Sequence, residues 1–292
     1  MTLMELLTIR IAEDLALAEI EAEAYREAKW HEFVKQTEPI EDKFKPKLRT
    51  AFTKQEKSVL AKLRSTSIPT LPEKRFWSMT KAGSEEAEAA SEAYVDAVFT
   101  ASEWQTVFEA AALPFVTEAY KKAGQAAFTE IGFQAAFNVT NPAARKYLQD
   151  KVFKFSEDVN EVTREKIRKA LVKGLDAGDD IRKISKRIAD VFEINRGSRT
   201  DTIARTEIVG ASNNGTHQGY IDSEIVKTEI WVDSRDDKVR TDPHNHALDG
   251  EEVALGKRFS NGLLHPHDPG GAAGNVINCR CRTVAGELKE AA

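Results

Sequence analysis

The chain has 292 residues, 41% hydrophobic and 30% charged, with a formal net charge of −5. That length fits two domains, one of them an extended helical region, and supplies enough apolar residues for a core. The acidic balance excludes a protein that coats nucleic acid over its whole surface, although a local basic face remains open.

Two cysteines separated by one residue, Cys279 and Cys281, exclude a disulfide framework and point to a reducing, cytoplasmic setting. The N-terminus is interrupted by Glu5, Arg10, Glu13 and Asp14, so it reads as an amphipathic helix and not a signal peptide. Its stripe is Leu3, Leu6, Leu7, Ile11 and Leu15 at three- and four-residue spacing. No stretch approaches the roughly 20 apolar residues of a membrane span.

A second helix is expected from Phe44 to Arg64, with Pro46 in its first turn and Leu48, Phe52, Val59, Leu60 and Leu63 buried. Pro69 and Pro72 mark a linker, and Ala- and Glu-rich helices resume near Glu85. This half reads as helical packing and partner docking without chemistry. Thr163 is placed as the cap of a helix with Ile167, Leu171 and Leu175 on one stripe. Gly178 suits a left-handed C-terminal cap, and Asp179 or Asp180 starts a helix with Ile181, Ile184, Ile188 and Val191 inward. A further helix covers about Ser198 to Ile221.

The period then changes to alternation. Val226, Thr228, Ile230 and Val232 share one strand face, and Lys227, Glu229 and Trp231 the other. Short strands are expected around Glu252–Leu255 and Val276–Val284. The fold class is therefore α+β. A mainly helical region, residues 1–160, precedes a small α+β domain with a short sheet, residues 161–286, and a tail, 287–292.

On a strand, Cys279 and Cys281 project from one face with Ile277 and Thr283, while Arg280 and Arg282 project from the other. Four histidines lie upstream: His244, His246, His265 and His267. Thiols and imidazoles are zinc ligands, yet the spacing matches no standard finger, so a structural zinc and two core-packed cysteines are both open readings. The string His244-Asn245-His246 is not an HNH nuclease signature, because those three residues are not consecutive there. The turn holding Asp233, Asp236, Asp237 and Asp242 lacks the odd-position oxygens and closing Glu of an EF-hand, and reads as a solvated loop. Arg182, Lys183, Lys186 and Arg187 lie opposite the isoleucine stripe. They form either a solvated face or a patch for DNA phosphates or an acidic partner.

These pieces in order resemble the phage Mu F-like minor head proteins, the head-morphogenesis family, from about Val162 onward. The resemblance rests on a helix pair, then Ala204-Arg205-Thr206-Glu207 running into ASNNG, then a strand with Trp231 and a turn with Arg240. His246-Ala247-Leu248-Asp249-Gly250, Pro266-His267-Asp268-Pro269 and Asn278-Cys279-Arg280-Cys281 follow. His244, His265 and His267 do not match the family pattern. The resemblance therefore leaves His246, Cys279 and Cys281 as metal candidates, with Asp249 or Asp268 nearby. It implies a low-copy, non-enzymatic component, made in the host cytoplasm and carried in the virion at the portal vertex. The implied partners are the portal protein, scaffold or major capsid protein, with packaged double-stranded DNA as a further one. The competing readings are a delivered effector of nuclease or ADP-ribosyltransferase type, and a non-specific DNA-binding internal protein. In related effectors the toxin module lies beyond the cysteine motif, where this sequence has about ten residues.

Overall fold

The computed structural model describes residues 3–66, 92–236, 238–241 and 243–290, with the side chains of the first helix from residue 10 onward. Its helices include α1 (Leu3–Ser65), α2 (Ala101–Glu130), α3 (Pro142–Asp176), α4 (Ile181–Arg196), α5 (Ser198–Ser223) and the single turn α6 (Ala273–Val276), and residues 92–98 are helical as well. The strands are β1 (Thr228–Val232), β2 (Glu252–Ala254) and β3 (Arg282–Ala285). They form one antiparallel sheet in the order β2-β1-β3, with Ile230 opposite Glu252 on one side and Val284 on the other. Helices first and a small sheet afterwards make the protein α+β. Among the described residues, no helix is long and apolar enough to cross a membrane.

Two expected helix starts are absent. Pro46 does not open a new helix, since α1 runs unbroken through both Pro39 and Pro46. A proline leaves the carbonyl four residues earlier without its donor. Here those carbonyls belong to Lys35 and Asp42, both exposed like the prolines, so water can take the place of the missing N–H. Burial of Ile40, Phe44, Leu48 and Phe52 along the other face holds the helix together. Thr163 likewise caps nothing. It is buried inside α3, and its hydroxyl donates to the Val159 carbonyl at 2.7 Å. The linker with Pro69 and Pro72 lies outside the described residues.

The chain divides into two compact units that interleave along the sequence. One comprises residues 42–116 and 140–204, the other residues 1–41, 117–139 and 205–292. The first is helical. Phe52 meets Phe108 edge-on at 5.0 Å between ring centroids, and Phe44 stacks on Phe115 at 5.3 Å. Gln55 and Asn160, both buried, answer each other at 3.0 Å. Asp180 caps α4 by accepting from the Lys183 amide, and Gly178 has the left-handed φ of +67° expected of it. Ile184 and Ile188 are buried, as their spacing requires.

The second unit contains the sheet. Here α5 crosses α2 with almost no space between them: a Cβ on Gly215 would lie 2.3 Å from the Tyr120 carbonyl oxygen. One on Gly219 would lie 3.0 Å from that of Gly124. Glycine at i and i+4 is what lets the two backbones approach. This crossing brings α5 against the loops that carry the histidine and cysteine motifs.

Candidate metal centre and its supporting network

β1 puts Trp231 at the bottom of a small core with Leu248, Phe259, Leu263, Cys279 and Cys281. His246 packs edge-on against Trp231, at 5.6 Å between centroids and 76° between planes. Its amide donates to the Arg240 carbonyl, fixing the loop that presents the ring. Cys279 and Cys281 come from the opposite side, and this corrects one expectation. They are not on a strand, because β3 begins only at Arg282, and Ile277, expected on the same face, is exposed. Convergence of the thiols comes from a tight loop: Asn278 has a φ of +60°, and the Cys281 amide donates to Cys279 Sγ.

The result is a buried trio. His246 Nδ1 lies 3.2 Å from Cys279 Sγ and 3.9 Å from Cys281 Sγ, and the three donor atoms fall within 4.8 Å of one another. Donors around a tetrahedral zinc, with bonds of about 2.0–2.3 Å, sit roughly 3.5–3.8 Å apart. The trio therefore has the chemistry and the spacing to hold one metal ion. Burial works against ionising Cys279, but hydrogen bonds from Cys281, His246 and His267 outweigh it and hold this thiol well below its ordinary range. Cys281, hydrogen-bonded to Cys279 and buried, is pushed well above it.

Neither nearby carboxylate joins the trio. Asp249 accepts from Arg26 at 3.0 Å and Arg235 at 2.6 Å, pinning the loop to α1. Gly250 follows with a φ of +83°, and its amide donates to the Trp231 carbonyl. Asp268 accepts from the Leu264 and Gly270 amides and from Arg258. Burial alone would raise its pKa, but those bonds lower it. The other histidines have separate work. His244 pairs with Asn275, and His265 bonds the carbonyl of buried Pro266. His267 meets the Cys279 carbonyl at 2.9 Å, which makes it a support for the trio.

The ARTE helix supports the same loop. Arg205 donates to the Asn278 side chain, Thr206 accepts from the Asn278 amide, and Asn213 donates to the Cys281 carbonyl. Glu207 is buried beside them. Arg280 reaches Asp236 at 2.6 Å, while its carbonyl accepts from Trp30. Asp237 and Asp242 lie outside the described residues. On α4, Arg187 pairs with Asp179 and Lys186 with Asp190, and Lys183 lies 4.0 Å from Asp179. Arg182 lies on the same helix.

Sequence reasoning missed a second buried network. His217, on α5, meets Glu229 of β1 at 2.7 Å, and Glu229 also accepts from Thr283 of β3. Arg282 pairs with Glu130 of α2 at 3.2 Å, and Tyr220 donates to the same carboxylate. Alternation puts Glu229 on the strand face of Trp231, but Lys227 on that same face is exposed, so alternation alone did not mark Glu229 as buried.

Comparison with known proteins supports the same region. Residues 165–284 match the family model described as phage Mu protein F like protein. The uncharacterized protein YqbB of Bacillus subtilis (strain 168) is 23% identical over 189 residues, 63% of this chain and 62% of YqbB. The chain thus matches less than two thirds of that relative's length. No solved structure matches.

Proposed function

We propose, for a chain that is phage Mu F-like over residues 165–284, that it is a minor capsid protein of a tailed bacteriophage acting in head morphogenesis. It works at the portal vertex during procapsid assembly or on the fate of packaged DNA during ejection. The observation that carries this reading is the family match, which covers the stretch where the ARTE, HALDG, PHDP and CRC pieces come together in one supported loop cluster.

The chain acts through interaction and has no reaction of its own. Its helical region, residues 1–160, docks on the portal protein, scaffold or major capsid protein. Residues 10–25 of α1 are exposed, with Ile11, Leu15, Leu17 and Ile20 each more than half accessible, a face suited to a protein partner. A direct contact with packaged DNA through Arg182, Lys183, Lys186 and Arg187 is the weaker part of the reading, because carboxylates of the same region already offset much of that charge. The protein passes from host cytoplasm into the virion. Zinc is the ion that suits the His246, Cys279 and Cys281 donors, where it clamps a loop-rich region.

Sedimentation of particles assembled with the portal, scaffold and capsid proteins of the same genome tests the function. The chain is expected to travel with procapsids in fewer copies than the capsid protein. Its remaining at the top of the gradient with all three present would overturn the assignment.

A further inference from the structure

The three donors do not close a tetrahedral shell. Among the described residues no fourth His, Cys, Asp or Glu joins the cluster. What adjoins it is a pocket of ≈ 240 Å³, lined by His246, Cys279 and Cys281 themselves together with Lys238, Arg240, Arg280 and Asp236. Closed structural zinc sites have four protein ligands; three ligands and an open side leave a position for an exogenous one.

The charge around that side is uneven. Among the described residues, three cationic side chains and a single carboxylate line the pocket. The carboxylate is already engaged, accepting from Arg280, Ser234 and the Lys238 amide. Arg240 is held in place by donating to the Gly274 and Ile277 carbonyls, so its charge stays at the pocket wall. A divalent ion balanced by two thiolates adds no net charge, which leaves the surplus of positive charge to select the incoming group. At this volume the pocket admits a group of the size of one phosphate.

We propose that the His246–Cys279–Cys281 centre binds its metal with an exchangeable fourth position, and that this position takes a phosphate group steered in by Lys238, Arg240 and Arg280. This rests on the metal reading given above. The phosphate has two sources, free phosphate or the backbone of DNA.

Cobalt(II) substitution of the full chain, kept reduced, separates the questions. One equivalent of cobalt with thiolate charge-transfer bands, lost in Cys281→Ser, is expected. Absence of both would overturn the metal reading and this inference with it. Titration of the cobalt protein with inorganic phosphate is then expected to shift the visible d–d bands saturably. In Lys238→Ala, which keeps the metal ligands, the midpoint should rise at least about threefold, the loss of a partly screened charge contact. A protein that binds cobalt but whose bands move with neither phosphate nor a short DNA duplex would leave the metal reading standing and overturn the open position. A short DNA duplex forms the second arm. A shift with the duplex at concentrations where free phosphate gives none identifies backbone phosphate as the ligand, and a shift with phosphate alone identifies the free anion.

Discussion

In the unit built from residues 42–116 and 140–204, the buried positions are filled by Phe44, Leu48, Phe52, Phe108, Phe155, Ile184 and Ile188. In the unit that carries the motifs, His217, Glu229, His246, His265, His267 and Arg282 are buried with Trp231 and two cysteines, and the Glu130 side chain is nearly inaccessible. Long helices satisfy their own backbone groups, so most buried side chains there fill space, with Gln55, Asn160 and Thr163 as polar exceptions. Between β1 and the chain end regular structure is short, and loop amides and carbonyls find partners among side chains such as Asp268, Asn213 and Arg240. The first region is specified mainly by shape, the second mainly by a set of buried polar bonds.

The sharpest way to break this contrast is a substitution that keeps volume and deletes polarity. Arg282→Met should cost about 3 kcal/mol or more, because Glu130 is left buried without its cation. Urea unfolding measures it, and a cost below about 1 kcal/mol would remove the distinction. Acid provides the next test. Burial, reinforced by neighbouring His217, lowers the His265 pKa from 6.5 to about 4, against the opposing pull of the Pro266 carbonyl and Asp268; His267 lowers it further. The unfolded chain therefore takes up a proton that the folded chain refuses. Stability is fully present above about pH 6.5 and falls as the pH drops towards 4, by on the order of 2–3 kcal/mol. His265→Asn should flatten that segment of the stability–pH curve; an unchanged slope would show that the group titrates normally.

The counterpart in the helical unit is milder. Leu48→Met should cost no more than about 1.5 kcal/mol by thermal or urea unfolding, since an apolar group of similar volume still fills the site. A larger loss would mean that shape there is as tightly specified as polarity is around the sheet. Smallest of all, Lys186→Ala should stay within about 0.5 kcal/mol, because its pairing with Asp190 is exposed.

The same contrast decides what could be read from sequence. α4 was legible from Asp180 to Ile188, because its cap and its isoleucine spacing are local and agree with each other. β1 and β2 were legible from alternation and position. The unbroken α1 was not, since Pro39 and Pro46 carry a stop signal that their exposure disarms. Thr163 misled in the same way: a good capping residue, it spends its hydroxyl on its own helix. The cysteines were expected to meet on a strand face, and they meet in a loop instead. His246 was identified through the motif it belongs to. His217, Glu130 and Arg282 belong to no local pattern, and only the crossing of α5 with α2 and the sheet brings them together.

The most direct test of the account is complementation of a phage genome lacking this gene, scored by DNA-filled, infectious particles. The wild-type chain is predicted to restore particle yield or infectivity, and a chain carrying Cys281→Ser to restore it less well. A deletion that leaves both the number and the infectivity of virions unchanged would contradict a role in head morphogenesis.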